Sequence, residues 1–143
     1  MTAPPTIHAS AVLVGSKAVL IRGPSGAGKS RLAWHLLNGG VPFARLIGDD
    51  RVHVEAHSGR LVVRPSEALA GLIEVRGLGV RRLAFEPAAV VGVVMDLAAE
   101  DAERLPEAPD TTIDGVTLPR LAVQNGADAL STVQAFLGTL PGG

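Results

Sequence analysis

The sequence predicts an α/β fold in which one helix packs against a mixed sheet built mainly of hairpins. An apolar run at residues 18–21 leads through a glycine-rich stretch into a helical pattern at residues 31–38. Turn signals such as Gly15-Ser16 separate neighbouring apolar runs, which is typical of antiparallel strands. Strand-like runs outnumber helical ones, so a simple alternation of strands and helices is not expected. We therefore expect residues 1–143 to form a single domain.

The first half of the chain predicts two hairpins on either side of the helix. Leu32, Leu36 and Leu37 share one face of that helix, and Gly39-Gly40 ends it. Residues 52–57 alternate between apolar and polar side chains, the pattern of a half-buried strand. The expected elements are a hairpin over 12–21, the helix over 31–38, a strand over 43–47 and a hairpin over 52–63 with its turn at Ser58-Gly59.

The second half predicts fewer regular elements. Residues 66–71 read as a loop or a short helical turn, and residues 74–79 contain two glycines and predict a loop rather than a helix. Residues 90–95 are a continuous apolar run, which predicts a buried strand. The remaining expectations are an exposed connection over 101–109, a hairpin turn at Asp114-Gly115 and a final helix over 127–137.

Composition excludes several classes of function. The chain carries a formal net charge of -1 and only 3% aromatic residues, with no tyrosine, so a surface for nucleic acid is not expected. It has no cysteine, which excludes disulfides and thiolate metal sites. No apolar run is long enough to span a bilayer, and residues 1–5 lack the pattern of an export signal. We expect a cytoplasmic enzyme that does not bind a membrane.

One octapeptide spells the phosphate-loop motif G-x-x-x-x-G-K-[ST]. Its residues are Gly23, Pro24, Ser25, Gly26, Ala27, Gly28, Lys29 and Ser30. Glycines let backbone N–H groups converge on an anion, and the start of the helix adds its positive dipole end. Lys29 can reach the β- and γ-phosphates of a nucleotide, and the Ser30 hydroxyl suits Mg²⁺. A chance match in a glycine-rich turn is the alternative, but the flanking strand and helix favour a polyphosphate-binding site.

Two adjacent acids, Asp49 and Asp50, end the apolar strand that follows the helix. One carboxylate can orient Mg²⁺ or its waters, and the other can accept a hydroxyl proton during phosphoryl transfer. Neighbouring strand residues point to opposite faces, so the two acids are not expected to share one role. The alternative is a polar strand end capped by two acids.

Glu74, Arg76 and His8 are further candidates for the same site. Glu74 and Arg76 lie between apolar residues and glycines, which suits a loop that reaches a charged ligand; an ordinary ion pair at a loop rim is the alternative. The register of the first hairpin places His8 opposite Gly23 or one residue away. His8 is therefore expected beside the phosphate-loop motif, with a satisfied strand histidine as the alternative.

Four motifs stand in the order and spacing of one known family. They are His8, the loop serine Ser30, the tetrapeptide Asp49-Asp50-Arg51-Val52 and the segment Glu74-Val75-Arg76-Gly77-Leu78-Gly79. On these motifs the chain resembles the bacterial HPr kinase/phosphorylase family from about Ile7 to Val94, and more weakly beyond.

The resemblance implies a fold related to that of phosphoenolpyruvate carboxykinase, and it also implies a protein kinase activity. The implied enzyme uses ATP and Mg²⁺ to phosphorylate a serine of HPr, the phosphocarrier of the sugar phosphotransferase system, or of its nitrogen-related paralogue. The implied catalytic residues are Asp50, His8, Lys29 and Arg76, and the implied Mg²⁺ ligands are Ser30 and Glu74. Asp50 matches the family's proton acceptor, in agreement with the interpretation of the acid pair above.

The chain departs from the family at several places. The usual N-terminal domain does not fit before Ile7, so a form with only the catalytic domain is expected, and Arg31 stands where a glutamate is common. The family's arginine-rich loop, linked to phosphorolysis, corresponds to residues 119–126 and retains only Arg120. Arg104 is expected to match a further active-site arginine. The resemblance therefore implies kinase activity more strongly than phosphorolysis.

Two other functions stay open at this point. One is a nucleotide-sensing module that binds ATP or ADP and regulates a partner, and the other is a small-metabolite kinase. Asp50 favours transfer over sensing, because binding alone needs no base, and the chain has little length for the mobile lid of a metabolite kinase. A homo-oligomer is possible, and the sequence does not determine it.

Overall fold

A computed structural model describes residues 5–39, 43–102, 110–124 and 128–139. Within these ranges the chain forms ten strands, two α-helices and a short 3₁₀ turn at Glu67–Leu69. The strands are β1 (Thr6–Val14), β2 (Lys17–Arg22), β3 (Ala44–Gly48), β4 (Arg51–His57), β5 (Arg60–Pro65), β6 (Leu72–Val75), β7 (Gly79–Arg82), β8 (Ala89–Asp96), β9 (Asp110–Ile113) and β10 (Val116–Ala122). The helices are α1 (Lys29–Asn38) and α2 (Ala129–Gly138).

Five of these strands close into a ring. β1 pairs with β2, β2 with β8, β8 with β5, β5 with β4, and β4 returns to the start of β1. The β2–β8 pairing is parallel, as is that of β8 with β10, and the other pairings of the ring are antiparallel. β3 pairs with the second half of β1, and β9 extends the sheet beyond β10. The sheet is therefore mixed and rich in hairpins, as predicted.

The sheet has an apolar layer on each face. Successive side chains of a strand point to opposite faces, so the fully apolar run of β2 serves both layers. Val19 and Ile21 face the helices, while Ala18 and Leu20 face the inside of the ring. With few aromatic residues available, both layers consist mainly of Val, Leu, Ile and Ala side chains. The two layers hold β2 and the segment that follows it in a fixed position.

Both helices pack on the same face of the sheet. α1 buries Leu32 and Leu36, and α2 adds Val133 to the same cluster. Asp128 caps α2, since its Oδ1 accepts from the Ser131 backbone N–H at 3.1 Å. Within the described ranges no helix is both long and apolar enough to cross a membrane.

Most element predictions are confirmed. The turns at Gly15-Ser16, Ser58-Gly59 and Asp114-Gly115 each join two antiparallel strands. Residues 66–71 contain the expected short helical turn. The loop predicted over 74–79 is not a helix, as expected, but its first two residues and its last residue belong to the paired strands β6 and β7, and only the residues between them form a turn. The boundaries differ by a few residues: α1 begins within the glycine-rich motif at Lys29, and α2 runs from Ala129 to Gly138.

Candidate active site

The phosphate-loop motif connects β2 to α1, the context that the sequence predicts. Gly26 and Gly28 have φ values of 84° and 98°, in the left-handed region that side chains disfavour. A Cβ at either position would meet no atom within 4 Å, so it is the backbone conformation that requires glycine there. Gly28 is the N-cap of α1 and supplies no capping side chain. The N–H groups at the start of this helix are therefore available to an anion.

Lys29 lies across this loop. Its side chain is buried, and its Nζ donates to the carbonyl oxygens of Gly23 at 2.8 Å and of Pro24 at 3.2 Å. Because an ammonium group has three donors, Lys29 has capacity for an anion next to these two carbonyls. The arrangement places one positive charge directly over the loop.

Asp49 lies at the centre of the site and is buried. The Ser30 hydroxyl is 2.8 Å from both of its carboxylate oxygens, and the Ser10 hydroxyl donates to Oδ1 at 2.6 Å. The backbone N–H of Glu74 donates to Oδ2 at 3.2 Å. The Asp49 carboxylate thus connects the end of β3 with β1, α1 and β6. Its partners in this buried polar cluster are two hydroxyl groups and one backbone N–H group.

Asp50 has a different environment from its neighbour. Its φ is 69°, and the Arg51 N–H donates to the Asp49 carbonyl oxygen at 2.8 Å, which closes a tight turn around it. The Asp50 carbonyl oxygen accepts from the Ala9 N–H at 3.1 Å. The side chain is 62% exposed, and its Oδ1 lies 2.7 Å from His8 Nε2. A non-glycine residue in this conformation is strained, and such strain is typical of functional sites.

His8 reaches this place through the hairpin register. β1 and β2 pair as far as Ala9 and Arg22, so His8 is the next residue toward Gly23, as expected. Its side chain is 42% exposed and faces the Asp50 carboxylate. The prediction that His8 lies beside the phosphate-loop motif is therefore confirmed.

Glu74 and Arg76 lie on the hairpin formed by β6 and β7. Glu74 contacts the centre of the site through its backbone, and its side chain is exposed. Arg76 lies in the turn, also exposed, and within the described part of the chain it makes no ion pair with Glu74. The alternative of a simple Glu–Arg pair is therefore not what these residues form. Arg104 lies outside the described residues.

Sequence reasoning missed Ser10. This side chain is buried and holds Asp49, and its Oγ also lies 3.4 Å from the Asp50 N–H. The available signal was its spacing of two from His8, which places both residues on one face of β1.

A second polar cluster, also missed, lies where β2, β8 and β10 end. Asp96 accepts from Arg22 Nε at 2.7 Å and from Arg120 Nε at 2.5 Å, and Arg120 also donates to both carboxylate oxygens of Asp101. Burial raises the pKa of the Asp96 carboxyl, but the hydrogen bonds and charges of Arg22 and Arg120 outweigh burial and lower it. The cluster thus fixes Arg22, the last residue before the phosphate-loop motif. The same cluster engages the guanidinium group of Arg120, the one arginine within residues 119–126.

Comparison with known proteins identifies sequence relatives. The family model described as HPr Serine kinase C-terminal domain matches residues 1–85. Among curated proteins, the HPr kinase/phosphorylase of Limosilactobacillus reuteri is 33% identical over 131 residues, covering 82% of this chain and 40% of that protein. The HPr kinase/phosphorylase of Streptococcus thermophilus is 42% identical over 76 residues, covering 52% of this chain and 24% of that protein. The chain thus spans well under half the length of these relatives.

A solved structure has the same fold. The HPr(Ser) kinase/phosphatase from Coxiella burnetii matches with a TM-score of 0.75 at 20% sequence identity, covering 94% of this chain and 88% of that chain. At this identity the match supports the architecture of the mixed sheet and its helices. The family-model match, in contrast, includes the segment that carries His8, Ser30, Asp49 and Asp50.

Proposed function

Because the chain belongs to the HPr serine kinase family, whose C-terminal-domain model matches residues 1–85, we propose that residues 1–143 act as one catalytic domain that transfers the γ-phosphoryl group of ATP to a serine of an HPr-type phosphocarrier. The observation that carries the proposal is the division of the acid pair: Asp49 is buried against Ser30, and Asp50 is exposed against His8. Adjacent acids in such different environments suit one metal-oriented and one proton-accepting role.

The phosphate-loop motif is the proposed site for the triphosphate of ATP, with residues 23–30 around it. The uncapped N–H groups of α1 and the Lys29 ammonium supply the donors and the positive charge that phosphates require. Arg76, exposed on the neighbouring hairpin without an ion-pair partner in the described ranges, is proposed to hold the transferring phosphoryl group. Arg104 is proposed as a further active-site arginine from the resemblance alone.

The side chains present fit Mg²⁺. The Ser30 hydroxyl and the Asp49 carboxylate offer hard oxygen ligands that lie 2.8 Å apart. The carboxylate of Glu74, on the neighbouring strand β6, is proposed as a further ligand. Within the described residues no group of three or more His, Cys, Asp and Glu side chains is placed to hold a metal by itself. This suits a cation held by one or two carboxylates together with substrate phosphates, as Mg²⁺ usually is. Bound there, it would offset charge on the phosphate oxygens.

Asp50 is the proposed base. The acceptor serine oxygen forms a bond to the γ-phosphorus while the bond to the bridging oxygen of ADP breaks, and the serine proton passes to the Asp50 carboxylate. His8 holds the Asp50 carboxylate at 2.7 Å, and the tight turn directs it away from the buried Asp49. ADP and phosphoserine leave, and the proton returns to solvent from the exposed carboxyl.

The β6–β7 hairpin supports a protein acceptor over a small metabolite. Leu78 and Val80 are 66% and 67% exposed, and Arg76, Arg81 and Arg82 are exposed on the same hairpin. Exposed apolar side chains among arginines are typical of a docking surface for a protein with acidic groups around an apolar centre. The first strand of the hairpin contacts the central carboxylate, so a docked protein would have its hydroxyl near the site.

We do not extend the proposal to efficient phosphorolysis. The reverse use of inorganic phosphate needs further positive charge, and the Arg120 guanidinium is already bound by two aspartates. We place the reaction in the cytoplasm, where ATP and the phosphocarrier occur, with regulation of the phosphotransferase system as its outcome.

Intact-mass spectrometry of HPr-type acceptors tests the proposal. HPr and its nitrogen-related paralogue are incubated with this protein and Mg·ATP, beside variants of each acceptor in which the candidate serine is alanine. The proposal expects the mass of one phosphoryl group on at least one acceptor and none on its alanine variant. ATP binding without any mass gain would instead support a nucleotide-sensing module.

A further inference from the structure

The first residue of the phosphate-loop motif packs against the end of β8. The Leu97 N–H donates to the Arg22 carbonyl oxygen at 2.8 Å, which continues the parallel β2–β8 pairing just beyond Asp96. A Cβ at Gly23 would lie 3.1 Å from both the Cβ and the carbonyl oxygen of Leu97. Few side chains tolerate so short a contact, so glycine lets the motif approach β8 this closely. The start of the motif is thereby seated on the end of β8.

The side chains of Arg22 and Asp96 join the same two strand ends. Both are the last residues of their strands, and they lie opposite each other in the β2–β8 register. Arg22 Nε donates to Asp96 Oδ1 at 2.7 Å, and Arg22 Nη2 donates to Oδ2 at 2.8 Å. Two parallel charge-assisted hydrogen bonds fix direction as well as distance. Arg22 is therefore held through its backbone and its side chain immediately before Gly23.

β10 holds Asp96 from its other side. Arg120 Nε donates to Asp96 Oδ2 at 2.5 Å, and the Val123 N–H donates to the Asp96 carbonyl oxygen at 3.0 Å. The Asp96 side chain is only 14% exposed, so water competes weakly for its oxygens. Three strands thus determine where this carboxylate lies and, through it, where Arg22 lies.

Lys29 depends on the loop carbonyls for its position. Its Nζ donates to the Gly23 and Pro24 carbonyl oxygens, and these are the partners that the described part of the chain gives to the ammonium group. Gly23 directly follows Arg22, so the direction of its carbonyl depends on how the end of β2 is held. A path of contacts therefore runs from Asp96 through Arg22 and Gly23 to Lys29.

We infer that Asp96 is a positioning residue for the nucleotide site: it holds Arg22 and thereby directs the Gly23 carbonyl that orients the Lys29 ammonium. The inference rests on the proposed function, because Lys29 is there assigned to the phosphates of ATP. Asp96 acts without touching the nucleotide. When its carboxylate is lost, the start of the motif gains freedom, and Lys29 spends less time in the orientation that the phosphates require.

Amine labelling tests the path of contacts without any nucleotide. The chain contains two lysines, the exposed Lys17 and the buried Lys29, so their acetylation rates are compared in one preparation by peptide mass spectrometry. Lys29 is expected to react more slowly than Lys17 in the wild type. Asp96→Asn and Arg22→Gln are each expected to raise the Lys29 rate by about fivefold or more and to leave Lys17 unchanged. Arg22→Gln keeps the pair of Asp96 with Arg120, so it serves if Asp96→Asn does not fold.

Two controls separate positioning from lost stability. Glu86→Gln makes the same change from acid to amide at another arginine pair, Arg45–Glu86 at 3.1 Å outside the site, and is expected to keep the wild-type Lys29 rate. The wild type in enough urea to match the free energy of unfolding of Asp96→Asn is expected to keep it as well. A wild-type Lys29 rate in both Asp96→Asn and Arg22→Gln, or an equal rise in the controls, would overturn the inference.

Calorimetric titration with Mg·ATP separates the inference from the proposed function. Asp96→Asn and Arg22→Gln are expected to bind ATP about tenfold more weakly than the wild type, and Glu86→Gln is expected to bind it equally. Wild-type ATP affinity in both site variants would overturn the inference while the proposed function stands. Absence of ATP binding by the wild type would contradict the proposed function, and the labelling comparison would then decide whether Asp96 positions Lys29.

Discussion

His8 and Asp50 are 42 positions apart in the chain, and their side chains meet at 2.7 Å beside the phosphate-loop motif. The contact depends on two strand pairings. The pairing of β1 with β2 places His8 beside the motif, and the pairing of β1 with β4 places Asp50 beside His8. Asp50 also has a strained backbone that two backbone hydrogen bonds hold in place. A carboxylate held in place and still exposed is what the proposed role of Asp50 as proton acceptor requires.

His8→Gln is expected to lower kcat for phosphoryl transfer by about tenfold or more with little change in the KM for ATP, because the Asp50 carboxylate loses its orienting partner. Steady-state kinetics checks this. His57→Gln is the matched control, since His57 also contacts a carboxylate, Glu55, on β4 outside the site. Equal kinetics for both variants would show that the His8 contact has no role in positioning.

Ser10→Ala is expected to lower the free energy of unfolding by about 1–2 kcal/mol, because the buried Asp49 loses a hydrogen bond. Urea denaturation measures it. Thr112→Val removes an exposed hydroxyl contact with Thr117 and is expected to change stability by about 0.5 kcal/mol or less. A similar small change for both variants would mean that the Ser10 hydrogen bond does not support the site.

Gly26→Ala and Gly59→Ala form a matched pair. The two glycines have φ values of 84° and 79°, and a Cβ at either would meet no atom within 4 Å. Both variants are therefore expected to lose about 1–2 kcal/mol of stability through backbone strain. Only Gly26→Ala is expected to weaken ATP binding, which calorimetric titration measures. Equal ATP affinity in the two variants would argue against residues 23–30 as the nucleotide site.

Asp96→Asn is expected to destabilise the protein by about 2 kcal/mol at neutral pH, because Arg22 and Arg120 lose a charged partner. The pKa of Asp96 is lower in the folded state than its ordinary value of 3.8, so its contribution is fully present above that value. As the pH falls below 3.8 the unfolded state binds the proton first, and the stabilisation is lost as the pH passes through the folded pKa. Urea titrations at neutral and acidic pH should therefore show the difference between variant and wild type shrinking only in acid. A difference independent of pH would contradict this assignment.

Much of the local structure was predictable because it depends on neighbouring residues. Glycine-containing turns set the hairpins, and one hairpin register set the position of His8. The closure of the strand ring was not predictable, since the pairing of β5 with β8 joins distant segments that local patterns do not connect. The partners of Asp49 and Asp96 depend on the same long-range pairings.

Individual residues show the same limit. Ser10 lies between alanines and reads as an ordinary core position, although it holds Asp49. The resemblance relates Arg120 to the family's arginine-rich loop, and the structure places it in β10, where strand pairing brings it against Asp96. In both cases the contacts of the side chain depend on which strand pairs with its own strand. Local sequence patterns do not determine that pairing.

Asp50→Asn tests the central claim most directly, measured as ATP affinity and as the rate of phosphoryl gain by HPr in the same preparation. Asparagine has nearly the size and shape of aspartate, and both residue types are enriched among non-glycine residues at positive φ, so the turn and the fold should persist. The account predicts ATP affinity within about twofold of wild type and transfer slower by at least about 100-fold, because only the proton acceptor is lost. Transfer at the wild-type rate in Asp50→Asn would contradict the account.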